Sequence, residues 1–270
     1  MRILISADME GISGIFHGDM TETDDPDFGR SRELMTGDVN AAIEGALDAG
    51  ASDVWVNDSH GSANNILLEK LHPKAHLIQG WGEVARMMDG VDEGIDAGML
   101  VGYHARALTE DGAISHTMVM RTRRLWYNGV EIGEYGISAA HAGDYDVPII
   151  FVSGDEALAR KVHEVLGEQV EAAAVKSAYT RQFMRCLPLD EARELIRSGA
   201  AAAVARREKI PPFKPGRPIE VKLQYHKPVH AKAAALVPTV ERVDELTVRA
   251  EVGSGLEAAN MVEILLRVVV

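Results

Sequence analysis

Six residues in the first half of the chain have side chains that bind metal ions or move protons, and they fall where secondary structure should end. An apolar run, RILISAD (2–8), closes on Asp8-Met9-Glu10. A second, DVWVND (53–58), closes on Asn57-Asp58-Ser59-His60, and a third, AGMLVGY (97–103), on Tyr103-His104. Glu134 follows a glycine where a helical pattern begins, and His116 sits in ISHTM, a segment too short to be an element of its own. Two imidazoles with two or more carboxylates suit zinc, with manganese or cobalt compatible, and disfavour calcium and copper. Asp8 and Glu10 are two apart, so in extended backbone both carboxylates point the same way. A carboxylate can bridge two ions about 3.5–4 Å apart, the hydrolase arrangement that clamps both attacking and leaving atoms. Two dications would be balanced by Asp8, Glu10, one further acid and a hydroxide, and Glu134 is the best candidate for that third acid. His116, an imidazole of near-neutral pKa, is the candidate for moving protons across the crevice. Asp58 is expected to hydrogen-bond a ligand histidine rather than to bind metal itself.

Each residue has a plainer reading when taken alone. Asp8 would cap a turn, Glu10 would be a solvated loop acid, and His60 a turn residue. His104 would be a hydrogen-bonded core histidine, Glu134 an acid favourable to a helix N-terminus, and His116 an ordinary loop histidine. The set acquires meaning only if the fold brings it to one edge.

The surrounding pattern predicts such an edge. Helical periodicity runs from about Arg30 to Ala49, with Gly50 as a C-cap, and NNILLEKL before Pro73 reads as a short helix. RLWYNGVEIG (124–133) reads as a hairpin turning at Asn128-Gly129, followed by a helix over 134–146, a strand over 147–154 and a helix over 155–168. Strands alternating with helices imply an α/β fold whose mainly parallel sheet is sandwiched by helices. Ligands of such sheets bind beyond the carboxyl ends of the strands. After a helix over 189–208 and the Pro-rich PPFKPGRP (211–218), IEVKLQY and LTVRAEV alternate apolar with polar, and a terminal helix starts near Leu256. The expected division is a catalytic, metal-binding α/β domain over 1–185 and a smaller C-terminal α+β domain over 186–270, with a role in assembly open to it.

Composition removes several function classes. The 270 residues carry 28 Lys+Arg against 41 Asp+Glu, a formal net charge of −13, which repels phosphate backbones and argues against a nucleic-acid partner. The longest apolar runs, such as Ala200–Ala205, fall far short of the roughly 20 residues that span a bilayer. The acids at 8 and 10 interrupt what a secretion signal would need, so a cytoplasmic location is expected. With Cys186 the one cysteine, neither an intrachain disulfide nor a thiolate zinc cage can form. There is no GxGxxG or P-loop, and Ser59 beside His60 lacks a nucleophile elbow.

SADMEGISG (6–14), VNDSHGSANNILLEKLHP (56–73), GYHARA (102–107), SHTM (115–118), GEYGISAAHAGDYDVP (133–148) and AAVK (173–176) together resemble the DppA-type zinc D-aminopeptidases. The resemblance covers roughly residues 3–176. It implies a dinuclear zinc site held by Asp8, Glu10, His60, His104 and Glu134, with Asp8 the bridging carboxylate and His116 the catalytic histidine. It also implies release of N-terminal D-amino acids such as D-Ala from short peptides, and a homo-oligomer, in this family a ring-shaped decamer. Three other readings stay open from the sequence. One is a metal-dependent phosphohydrolase using Arg106 or the arginines at 121, 123 and 124. The second is an L-specific peptidase or amidohydrolase, and the third a non-catalytic peptide-binding protein.

Overall fold

The computed structural model describes residues 1–80 and 86–268. Short runs that are apolar on both faces become strands buried between helices. In chain order the elements are β1 (Arg2–Ala7), α1 (Phe28–Asp48), β2 (Asp53–Asp58), β3 (Ala75–Ile78), β4 (Ala97–Val101), β5 (Thr122–Tyr127), β6 (Val130–Glu131), α2 (Glu134–Gly143), β7 (Ile149–Asp155), α3 (Glu156–Leu166), β8 (Glu171–Thr180) and β9 (Phe183–Cys186). They continue as α4 (Leu189–Arg206), β10 (Ile219–Tyr225), α5 (Pro228–Ala234), β11 (Glu241–Arg242), β12 (Thr247–Val252) and α6 (Gly255–Arg267).

Two sheets result. The first has seven strands in the order β3-β2-β1-β4-β7-β8-β9, all parallel except β9, which runs antiparallel to β8. Strand order reverses between β1 and β4, since β2 and β3 extend the sheet one way and β7 and β8 the other. Right-handed crossovers therefore put α1 on one face and α2 and α3 on the other. The second sheet has five strands in the order β11-β12-β10-β5-β6 and is antiparallel throughout. Strand β10 shows the strict alternation of buried and half-exposed residues that a sheet with one wet face requires.

The mainly parallel sheet flanked by helices is thus the expected fold class, but the two cores do not divide the chain at residue 185. Helix α4 follows that point, yet its apolar stripe (Ala192, Ile196, Ala200, Ala203 and Val204) packs into the first core beside α1. The β5–β6 hairpin precedes it, yet pairs with β10, and its Leu125 and Tyr127 belong to the second core. Helix α2 serves both: Tyr135, Ala139 and Ala142 face the first core, Ile137 and Ala140 the second, and all ten of its residues are buried.

Other departures have local causes. NNILLEKL forms only a single 3₁₀ turn at Leu68–Lys70; ahead of it the backbone N–H groups of Asn65 and Ile66 go to the Asp58 carboxylate and that of Leu67 to Thr36 Oγ1. Strands β3, β8 and β9 and helix α5 carry too little periodicity to be read in advance. Of the apolar terminus 264–270, Leu265 and Leu266 are buried in α6, while Val269 and Val270 lie outside the described residues. Among the described residues no helix is long and apolar enough to cross a membrane.

Candidate metal centre

The carboxyl ends of β1, β2 and β4 lie side by side, with Ala7 level with Asp58 on one side and Val101 on the other. The ladder runs one residue further on each side: Ser59 N donates to Ala7 O at 2.9 Å and Asp8 N to Val101 O at 2.8 Å. Asp8, His60 and His104 are thereby delivered to the point where strand order reverses, the place such sheets reserve for ligands. Extended backbone does not carry on to Glu10, as the spacing argument assumed. The chain bends immediately after Asp8, and Gly11 N donates to Gly102 O at 2.7 Å. A Cβ on Gly11 would lie 1.8 Å from Tyr103 O, and one on Gly102 (φ +74°) would lie 2.2 Å from Asp8 O, so only glycines let these two loops cross. The bend brings both carboxylates onto one imidazole: His60 Nδ1 is 3.0 Å from Asp8 Oδ1 and 3.1 Å from Glu10 Oε2.

The other candidates close the ring. His104 Nε2 lies 3.5 Å from Asp8 Oδ2 and 3.2 Å from Glu134 Oε1. Glu134 is the first residue of the fully buried α2, and its Oε1 accepts Met118 N at 2.6 Å, tying the helix to the His116 loop. His116 stacks on His104 with ring centroids 4.2 Å apart, its Nε2 3.7 Å from both Glu10 Oε1 and Glu134 Oε1. That loop is held by Ala113 N donating to Asp155 Oδ2, which also belongs to the N-cap of α3, and by Arg181 Nε donating to Ser115 O.

Each histidine donates one ring N–H to a backbone carbonyl and turns the other nitrogen to the carboxylates. His60 Nε2 gives to Thr21 O (3.2 Å), His104 Nδ1 to Ala105 O (3.0 Å) and His116 Nδ1 to Ile114 O (3.0 Å). Such outer hydrogen bonds fix the tautomer of metal-binding imidazoles. Donor atoms within 4.8 Å of one another group as Asp8–Glu10–His60, Asp8–His104–Glu134 and Glu10–His104–His116, and the first two share Asp8. With the imidazoles neutral in those tautomers, as metal ligands must be, Asp8 Oδ2, Glu10 Oε2 and His104 Nε2 are buried with no hydrogen-bond partner among the described residues. Buried polar atoms are normally satisfied, so three orphans converging on one point fit a cation.

The charges are strongly interdependent. Burial, then the neighbouring Glu10, pushes the Asp8 carboxyl up to about 7. Burial also acts against charge on Glu10 and Glu134, but the facing imidazolium groups outweigh it and hold both below the usual carboxylate range. The same attraction overrides burial at the imidazoles, raising His60 well above its ordinary value and His104 to about 10. His116 goes the other way, lowered by burial and then by the charge on His104.

Asp58 touches no imidazole, contrary to expectation. Its carboxylate receives Asn65 N, Asn65 Nδ2 and Ile66 N, and Asn65 Nδ2 also donates to His60 O (2.7 Å), so Asp58 shapes the loop that carries His60. Arg106 and Arg124 both pair with Glu131, and Arg121 Nη2 donates to Leu266 O. Lys176 is a lone lysine in the apolar AAAVKSA, the one sequence signal of a structural role that the metal-ligand pattern does not include. Its buried ammonium donates to Glu10 O, Ile12 O and Ile15 O (2.6, 2.9 and 2.7 Å) and fastens the loop after β1. The acids and imidazoles open onto a cleft of about 930 Å³, whose far wall includes Met118, Met120, Arg181 and, from α6, Glu263 and Leu266.

The family model described as D-aminopeptidase (Peptidase M55) matches residues 1–264. The D-aminopeptidase of Bacillus subtilis (strain 168) is 35% identical over 260 residues, covering 96% of this chain and 94% of that protein. The solved structure described as the Zn-dependent D-aminopeptidase DppA from Bacillus subtilis, a self-compartmentalizing protease, superposes with a TM-score of 0.96 at 33% identity. It covers 99% of this chain and 97% of its own.

Proposed function

Since the chain belongs to the Peptidase M55 family of D-aminopeptidases, we propose that it is a metallo-aminopeptidase acting on short peptides through two zinc ions. Its preferred N-terminal residues are D-amino acids such as D-Ala. One observation carries this reading: two ligand sets that share Asp8, each with an imidazole and a second carboxylate. In it, Asp8, Glu10 and His60 hold one ion, and Asp8, His104 and Glu134 the other. Structural zinc is usually closed by four ligands, whereas sites of three protein ligands leave room for water and substrate. Zinc bound there polarises a carbonyl and lowers the pKa of water toward 7.

The chain's own residues supply positioning and proton movement. The bond from His116 Nδ1 to Ile114 O leaves Nε2 as the reactive atom, directed at the space between Glu10 and Glu134. With Nδ1–H committed to Ile114 O, that nitrogen is the one that accepts a proton and passes it to the departing amine. Met118, Val119 and Met120 give the cleft an apolar wall for the substrate's side chains. A closed homo-oligomer, a decamer by family resemblance, fits the description of the similar Bacillus subtilis protein as self-compartmentalizing.

The test pairs metal analysis with a panel of D- and L-dipeptides, p-nitrophenyl phosphate serving as the phosphohydrolase control. The expected protein carries two zinc per chain, cleaves D-Ala peptides, and loses turnover to a chelator and regains it with zinc. Asp8→Ala should lose bound zinc, while His116→Ala should keep it and lose at least about 100-fold in kcat. Full zinc occupancy in Asp8→Ala, or unchanged kcat in His116→Ala, would refute the assigned roles.

A further inference from the structure

Beneath the proposed ligands runs a chain of four hydroxyls that the chemistry above does not use. Ser59 Oγ lies 3.0 Å from Ser6 Oγ, Ser6 Oγ 2.7 Å from the Tyr103 hydroxyl, and that hydroxyl 3.0 Å from Ser138 Oγ. Ser6, Tyr103 and Ser138 are buried and Ser59 is partly so. Counting hydrogens gives the chain a direction. Ser6 donates to Met87 O, so it accepts from Tyr103, and Tyr103, with its single proton given to Ser6, accepts from Ser138. With Ser6's proton on Met87 O, the Ser59 link needs the Ser59 proton, which is shared between Ser6 Oγ at 3.0 Å and Ala7 O at 2.7 Å and so anchors the other end on β1.

Every link stands next to a proposed ligand, on a different element. Ser6 lies two residues before Asp8 on β1, Ser59 directly before His60 after β2, and Tyr103 directly before His104 after β4. Ser138 lies one turn after Glu134 on the same face of α2. Apolar side chains would fill this layer at no cost in hydrogen bonding, whereas buried hydroxyls left unpaired are expensive. A polar chain there stabilises one relative placement of its carriers and penalises others.

We propose that the Ser59–Ser6–Tyr103–Ser138 chain is a positioning device, centred on Tyr103, that sets the spacing of the four elements holding the metal ligands. This rests on the two-zinc reading, so zinc binding by the unaltered protein is measured first; if it binds none, both proposals fall. Tyr103→Phe, Ser138→Ala and Ser59→Ala are then titrated with zinc against a chromophoric chelator, and the cobalt-substituted proteins are compared by visible absorption. Tyr103→Phe should bind zinc about 10–100-fold more weakly and show an altered cobalt spectrum. Ser138→Ala should weaken the zinc equivalent that uses Glu134, leaving the other within about twofold, and Ser59→Ala should do the reverse. If Tyr103→Phe fails to fold, the two serine variants, which shorten the chain only at its ends, carry the test. Folded variants that lose thermal stability alone, with affinity, stoichiometry and cobalt spectrum unchanged, would overturn the proposal and make the hydroxyls mere core filling.

Discussion

At His104, a ring nitrogen faces two carboxylates at 3.2 and 3.5 Å, and at His60 another faces two at 3.0 and 3.1 Å. After chelation these imidazoles should hold protons at neutral pH, His104 up to about 10, and Asp8, raised to about 7, should hold part of another. Zinc must displace them, so uptake at pH 7 should release on the order of two protons per chain, and affinity should rise with pH. Calorimetry in buffers of differing ionisation enthalpy reads this directly; heats independent of buffer would refute it. The stability of the chelated protein should run the opposite way. A folded-state histidine pKa raised above the unfolded value contributes stability at low pH, and the His104 share is lost as pH rises towards about 10. The residue types that made this cluster legible in the sequence, acids and imidazoles at the ends of apolar runs, say nothing about Lys176 or the serines. Those residues act through hydrogen bonds to groups far away in sequence.

At the level of elements, the critical feature is the contact between the loop after β1 and the loop after β4. With Gly11 passing so close to Tyr103 O, the Gly11→Ala methyl meets backbone, which cannot swing aside as a side chain does. This substitution should cost about 1–3 kcal/mol or more and separate Asp8 from His104. Thermal denaturation and zinc titration of Gly11→Ala should therefore both shift; loss of stability with unchanged zinc affinity would show that the loops move without disturbing the ligands. Strands β1, β2, β4 and β7 were readable because continuous apolar runs have few alternatives to burial. The strands β8 and β9 escape sequence reading because half-exposed Ala174 and Ser177 and a buried lysine, Lys176, blur both periods, and NNILLEKL keeps only one 3₁₀ turn where Asp58 ties Asn65 and Ile66 into the His60 loop. A side chain's choice of backbone partner is a three-dimensional fact that local pattern does not encode.

For the whole molecule, the interleaving of the two cores has a direct consequence. The second sheet takes β5 and β6 from the first half of the chain, and α4 returns to the first core after β9. A fragment of residues 186–270 would lack β5, the strand that covers one edge of β10, and the buried Ile137 and Ala140 of α2. It should stay unfolded when expressed alone, and the amide-proton spectrum should show collapsed dispersion; a well-dispersed spectrum would restore the boundary at 185. Composition could not disclose this exchange, because β10 and β12 look complete as amphipathic strands whichever neighbours they pair with.

Helix α2 joins the halves physically, with Glu134 at its start and α6 lying so close that a Cβ on Gly255 would be 2.0 Å from Ala140 O. The segment after His116 runs straight into β5, and α6 supplies part of the cleft wall. Substitutions in the C-terminal third can therefore narrow or widen the opening while leaving the acids and imidazoles untouched. Lineages sharing one hydrolytic apparatus are free to diverge in diet by remodelling a partition far along the chain from the chemistry it encloses.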